Sequence, residues 1–201
     1  ADKRYMSEER WRMFCAIELP EELRTRAAAH IATLRNVAHD ARVSWQRAEN
    51  LHLTLKFLGE IARIRVAALS KAASRATEQS QPFRLTIEGA GSFPPRGLPR
   101  VLWLGILGST GALAGLQTHL EEECSVEGFP REERPFSPHL TIARIRAPQG
   151  ARSIASSHQA MGFEATEFPV KEIVVMRSEL GPVGSRYTII SRHELNEAAR
   201  V

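Results

Sequence analysis

The sequence predicts an α+β fold in two similar halves. Three observations carry that expectation. Helical and strand-like periodicities alternate along the chain, no long linker or low-complexity tract interrupts them, and one four-residue strand pattern occurs once in each half. The 201 residues are 43% hydrophobic and 25% charged, which is ordinary globular composition and argues against disorder. No window approaches the roughly 20 apolar residues that a membrane-spanning helix needs. The first eleven residues are too charged for a signal peptide, and are expected to form a flexible N-terminal arm (1–11) ahead of one domain over 12–201. Cys15 and Cys124 stand apart with no CxxC or Cys/His cluster. That excludes a disulfide scaffold or zinc ribbon and suits a cytoplasmic protein.

The elements follow in order. Arg12–Leu19 is short, apolar and bounded by Pro20, and reads as a strand. Glu21–His39 reads as a helix, because Leu23, Ala27, Ile31, Leu34 and Ala38 recur at spacings of four and three behind a proline and two glutamates. Val43–Gln46 and Leu51–Leu58 read as strands, the second closed by Gly59, and Ile61–Gln79 as an alanine-rich helix. Phe83–Glu88 and Arg100–Leu107 are strands flanking a Gly/Pro-rich loop. Leu113, Leu116, Leu120 and Cys124 mark a helix capped by Ser109 or Thr110. Phe136–Arg146 is a strand, Ala151–Met161 a helix stopped by Gly162, and Val170–Leu180 and Tyr187–His193 are strands joined by a Gly-Pro turn.

The repeated pattern is His52-Leu53-Thr54-Leu55 and His139-Leu140-Thr141-Ile142. Side chains alternate across a strand, so each copy buries two aliphatic residues and offers one imidazole and one hydroxyl on the opposite face. From composition, about 0.06 copies of such a pattern are expected by chance, and none of the other five histidines sits in one. Histidine populates both protonation states near neutrality. Two imidazoles across a cleft therefore suit an in-line displacement at phosphorus, one taking the proton of the incoming oxygen and the other protonating the departing one. The threonine hydroxyls suit hydrogen bonding to the non-bridging oxygens. Two readings compete with this one. A catalytic zinc site would need a third ligand at a convincing spacing, and none is seen; a pair of hydrogen-bonded core histidines would leave the same sequence trace.

Charge points the same way. The net charge is +4, and only Lys3, Lys56, Lys71 and Lys171 of the 27 basic residues are lysine. Guanidinium forks match phosphate and carboxylate bidentately, although a solvated basic surface has the same composition.

Around both motifs the chain resembles the 2H phosphoesterases, in particular the RNA 2′,3′-cyclic phosphodiesterases also called 2′-5′ RNA ligases. The resemblance is carried by Phe14-Cys15-Ala16-Ile17, the run from Asn50 to Gly59, Gly91-Ser92-Phe93-Pro94, Arg100-Val101-Leu102-Trp103, the run from Arg134 to Arg144, and Arg177-Ser178-Glu179-Leu180 with Tyr187. It implies a bilobal, pseudo-two-fold fold with two antiparallel sheets lining a central cleft and helices outside. It implies metal-independent hydrolysis of a 2′,3′-cyclic phosphate to a 2′-phosphomonoester, with no cofactor, His52 as acid and His139 as base. It further implies that Arg144 contacts phosphate, that Phe57 stacks on the base, and that a member of the family is a monomer acting on RNA ends, some members joining tRNA halves reversibly. Arg144 and Phe57 both lie five residues past a histidine, an odd offset that a regular strand sends to the wrong face. A bulge, twist or strand end is therefore expected in each strand. A non-catalytic RNA-end binding module, and a phosphodiesterase for another cyclic or 2′-5′ phosphodiester, are the alternative functions. Trp45, Trp103, Cys15 and Cys124 read as core, and His119 as solvated.

Overall fold

The computed structural model describes residues 9–182 and 184–198. Its elements are β1 (Arg10–Glu18), α1 (Glu21–Val37), β2 (Val43–Trp45), β3 (His52–Ala62), α2 (Val66–Glu78), β4 (Phe83–Phe93), β5 (Val101–Gly108), α3 (Thr110–Val126), β6 (His139–Ile145), α4 (Ala151–Met161), β7 (Thr166–Val170), β8 (Glu172–Gly181) and β9 (Gly184–Glu194). The strands form two antiparallel sheets, one ordered β3-β1-β8-β9 and the other β2-β6-β5-β4-β7. His52 opens β3 in the first and His139 opens β6 in the second. The α+β, two-sheet expectation is borne out, but the lobes are not the two halves of the chain. The first sheet combines β1 and β3 with the last two strands, while β2, β4 and β5 cross to the second.

The helices cross over as well. α3 follows β5 of the second sheet yet packs on α2, which lies against β8 and β9 of the first; α1 follows β1 of the first sheet yet lies beside α4, which packs on β4 of the second. One apolar core therefore runs through both lobes, from Met13, Cys15, Leu53 and Leu55 to Leu85, Leu102, Leu140 and Ile142. A satellite cluster of Phe14, Ala16, Val174 and Met176 sits on the other face of the first sheet. No described helix is long and apolar enough to cross a membrane.

Residues 1–8 of the expected arm lie outside the described residues, and its last part is not an arm. Arg10 and Trp11 open β1, paired with Ala62 and Ile61. Glu9 accepts hydrogen bonds from Trp11 Nε1 (2.8 Å) and Arg63 (2.7 Å), and the guanidiniums of Arg63 and Arg177 both pack on the indole, 5.0 and 4.1 Å from its centroid. Charged residues here satisfy one another at a strand end, which composition alone does not reveal. β3 likewise runs past Gly59 to Ala62, because Gly59 takes a positive φ of 67° within the strand instead of ending it. The edge strand β7 has no counterpart in the sequence reading; it accommodates Pro169 because at an edge a proline gives up no ladder bond. His119 is half-buried and bonded to Ser80 Oγ (3.0 Å) instead of solvated.

A second histidine pair locks α1 and α4 onto β5. His158 Nε2–H donates to the Trp103 carbonyl (2.9 Å), so its Nδ1 accepts from His30 Nε2–H (2.9 Å). Both rings are neutral in this arrangement, and burial lowers His158 and pushes His30 down to about 4. A folded value below the unfolded 6.5 means stability is fully present above about pH 6.5 and drains away as pH falls toward 4, by ~3 kcal/mol for His30 alone. Tm is expected to fall between pH 7 and 5, before the carboxylates titrate, and less steeply in His30→Phe; a flat profile for the unaltered chain would contradict the pair.

Candidate active site

The two motif strands share one irregularity that brings their polar residues together. In β3, Thr54 pairs with Ala16 and Lys56 with Cys15, leaving Leu55 as an extra residue. In β6, Thr141 pairs with Trp103 and Ala143 with Leu102, leaving Ile142 extra. Each is a β-bulge at the third position after the histidine. Burial shows the consequence: Leu55 and Lys56 are both buried, as are Ile142 and Ala143, so alternation skips a beat. Phe57, 47% exposed, returns to the face of His52 and Thr54, and Arg144 to that of His139 and Thr141. The expected irregularity is present in both strands.

All six residues line a single cleft of about 560 Å³ between the sheets. The two imidazoles are held identically. His52 Nδ1–H donates to the Asn50 carbonyl and His139 Nδ1–H to the Ser137 carbonyl, each at 2.7 Å and each two residues upstream. A carbonyl only accepts, so both tautomers are fixed and both Nε2 lone pairs remain for other partners. The Thr54 hydroxyl donates to His52 Nε2 at 3.1 Å. Aromatic neighbours fix the ring planes: Phe14 lies 4.7 Å from His52 with Tyr187 edge-on at 5.2 Å, and Phe93 meets His139 edge-on at 5.0 Å. Burial lowers His52 below its ordinary 6.5, with the Asn50 carbonyl opposing. Among the described residues no group of three or more His, Cys, Asp or Glu side chains converges as a metal site would need.

The family model described as the 2′-5′ RNA ligase superfamily matches residues 21–182. The chain belongs to that superfamily. An RNA 2′,3′-cyclic phosphodiesterase of Methanothermobacter thermautotrophicus is 34% identical over 178 residues, covering 88% of this chain and 95% of the relative. Another from Thermus thermophilus is 34% identical over 191 residues, covering 92% and 90%. Among solved structures, E. coli LigT complexed with 3′-AMP superposes with a TM-score of 0.69 at 29% identity, covering 93% of this chain and 99% of LigT.

Membership in the superfamily makes the remaining cleft residues informative. Arg12, Ser44, Trp45, Gln46, Ser178, Leu180, Ser185 and Arg146 line it too, and among the described residues no carboxylate does. Sequence reasoning left Arg12 and Arg146 unremarked. Arg12 shares a strand face with Phe14, and its guanidinium lies 4.6 Å over the Phe57 ring. Asn50 has a second task, its side-chain amide donating to the Ser185 carbonyl (2.7 Å) and tying the approach to His52 to β9. Trp45, read as core, is half-buried against the core and also faces the cleft. Trp103, read as core, is instead half-buried on the strand face opposite the core residues Leu102 and Leu104, packed against Phe93 (5.3 Å) and over Gly91.

Gly91 is required by that packing. A Cβ there would stand 2.3 Å from the Trp103 ring, well inside any real contact. Gly91→Ala is expected to displace the indole, destabilise the fold by about 1–3 kcal/mol, and disturb His139 through Phe93. Urea denaturation and the His139 ring resonances measure both effects; an unchanged midpoint would show that the indole moves freely.

Lys56 lies beside the first bulge, 4% exposed, and its ammonium contacts Glu121 Oε2 of α3 at 2.7 Å and the Pro130 carbonyl at 3.0 Å. The same carboxylate oxygen accepts the Glu132 backbone N–H at 3.2 Å. The pair thus joins β3 to the segment that delivers His139.

Proposed function

We propose that this chain hydrolyses the 2′,3′-cyclic phosphate of RNA or nucleotide ends to a 2′-phosphomonoester, using His52 and His139 as an acid–base pair. The observation that carries the proposal is the matched pair of Nδ1–H···O=C bonds, which turns an Nε2 lone pair from each sheet, that of His52 shared with the Thr54 hydroxyl, toward one cleft that no described carboxylate lines. The names of the relatives, RNA 2′,3′-cyclic phosphodiesterases, support the substrate class.

The chemistry balances on two proton transfers. The neutral imidazole takes a proton from water as its oxygen bonds to phosphorus; the protonated imidazole gives its Nε2 proton to O3′ as the P–O3′ bond breaks. The product carries a 2′-phosphate and a 3′-hydroxyl, and solvent restores the pair. The superfamily resemblance assigns the acid to His52 and the base to His139. Thr54 and Thr141 hydroxyls donate to the non-bridging oxygens, Arg144 neutralises the phosphate, and Phe57 stacks on the base. A 5′-hydroxyl in place of water gives a 2′-5′ linkage by the same displacement, so reversible ligation needs no further machinery.

Burial lowers His52 below its ordinary 6.5, and an anionic phosphate beside it raises its affinity for a proton. The acid limb of kcat/KM is therefore expected below pH 6.5, and the His52 ring resonances should titrate at higher pH once product is bound. The decisive assay offers a nucleoside 2′,3′-cyclic phosphate in excess EDTA and identifies the product. Turnover to the 2′-phosphate is expected; activity that vanishes on chelation, or binding without turnover, would overturn the proposal.

A further inference from the structure

Eight of the 21 described arginines form ion pairs with carboxylates, among them Arg26 with Glu164, Arg75 with Glu123 and Glu127, Arg84 with Glu167, and Arg192 with Glu18 and Glu172. The outer end of β2 and β6 gathers several of the others. Ser44 lies opposite Arg144 and Val43 opposite Ile145, and the ladder continues one step further, with Arg146 N–H donating to the Arg42 carbonyl at 2.7 Å. Arg42 and Arg146 are therefore a directly opposed cross-strand pair.

Alternation places both on the face of Ser44 and Arg144, and Arg146 Nε donates to Ser44 Oγ across that face at 2.8 Å. All three arginines are exposed. Among the described residues none of them forms an ion pair, and Asp40, the carboxylate nearest to Arg42 in sequence, forms none either. Like charges directly opposite one another destabilise a sheet. A pair kept without a compensating acid fits a site whose missing partner is an anion from outside.

Position indicates which anion. Arg144 shares the cleft with both motif histidines, and Arg146 lies two residues farther along the same face, a step of about 6.7 Å. That step is comparable with the separation of neighbouring phosphates in a nucleic-acid strand. Arg146 lines the cleft rim, whereas Arg42 is not among the cleft-lining residues.

We propose that Arg42 and Arg146 form a second phosphate subsite, which takes the phosphate carried on the 5′-oxygen of the nucleotide whose cyclic phosphate lies at Arg144. This assignment rests on the hydrolytic reading for its direction along the strand. The phosphate is either the terminal group of a free nucleotide or the bridge to the rest of an RNA strand, and the two have the same recognising chemistry.

The experiment compares three substrates ending in the same nucleoside 2′,3′-cyclic phosphate: one with a 5′-hydroxyl, one with a 5′-phosphate, and a trinucleotide. The 5′-phosphate and the trinucleotide are expected to exceed the 5′-hydroxyl substrate about tenfold or more in kcat/KM, as charge-assisted contacts of this kind provide. Arg42→Gln combined with Arg146→Gln should erase most of that gain while changing the 5′-hydroxyl substrate by less than about twofold. The Lys/Lys variant should keep part of it. A further gain of the trinucleotide over the 5′-phosphate identifies the strand as the source; equal gains identify a lone phosphate. Equal kcat/KM for all three substrates, or an equal loss on all three in the variant, would overturn the subsite.

Equilibrium binding separates this proposal from the hydrolytic one. A trinucleotide ending in a 2′-phosphate should bind with a log–log salt slope about 1.4 shallower in the Gln/Gln variant, two phosphate-contacting cations being lost. That change without any turnover would keep the subsite and discard the hydrolase; turnover without it would do the reverse. The Gln/Gln variant should melt no lower than the parent, since it relieves a repulsion. A lower Tm would show a structural role for the pair and overturn the reading.

Discussion

Replacing His52 or His139 by asparagine is expected to lower hydrolysis of a nucleoside 2′,3′-cyclic phosphate by about 10²–10⁴-fold. The double variant should lose little more than the worse single one, because an acid without its base leaves the displacement half-assisted in either case. Binding of a 2′-phosphate product should survive, since Thr54, Thr141 and Arg144 still line the cleft. Full activity in either single variant would remove that histidine from the mechanism. Strictly additive losses would mean that the two act on different steps.

The largest effect on stability is expected at Lys56. In Lys56→Ala the Glu121 carboxylate stays largely buried with no cation, and breaking such a pair costs about 3–5 kcal/mol. At about 2–4 °C per kcal/mol for a chain of this size, Tm should drop by roughly 6–20 °C. Lys56→Met with Glu121→Leu should recover only part of this, because the Pro130 carbonyl and the Glu132 N–H lose their partners along with the charges. Thermal melts of the parent and the two variants measure it. A single variant as stable as the parent would mean that water reaches the site.

Much of this was legible in the sequence, and where it was not the reasons are physical. The doubled His-x-Thr pattern located both motif strands, because alternation is a local property of the chain. The odd offsets of Phe57 and Arg144 even demanded an irregularity in each strand. The bulges themselves depend on what the neighbouring strand places opposite, Ala16 with Cys15 and Trp103 with Leu102, and no local pattern encodes that. The crossing of β2, β4 and β5 into the His139 sheet is a property of long-range pairing and was equally hidden. Arg42 and Arg146 stand 104 positions apart, so their opposition appears only once β2 and β6 are side by side. Lys56 read only as one of the four lysines, within the strand Leu51–Leu58, and only the fold reveals that it is buried.

The interleaved strand order has a bearing on how the molecule comes into being. The sheet with His139 has all five of its strands once synthesis passes Val170, whereas the sheet with His52 waits for β8 and β9, out to Glu194. An emerging polypeptide thus completes one wall of its cleft well before the other, and domains form in the order their parts leave the ribosome. A translation product halted between those points carries both histidines yet has no second wall to oppose them. Early termination therefore leaves His52 on the β3-β1 pair alone, without β8 and β9 to complete its sheet.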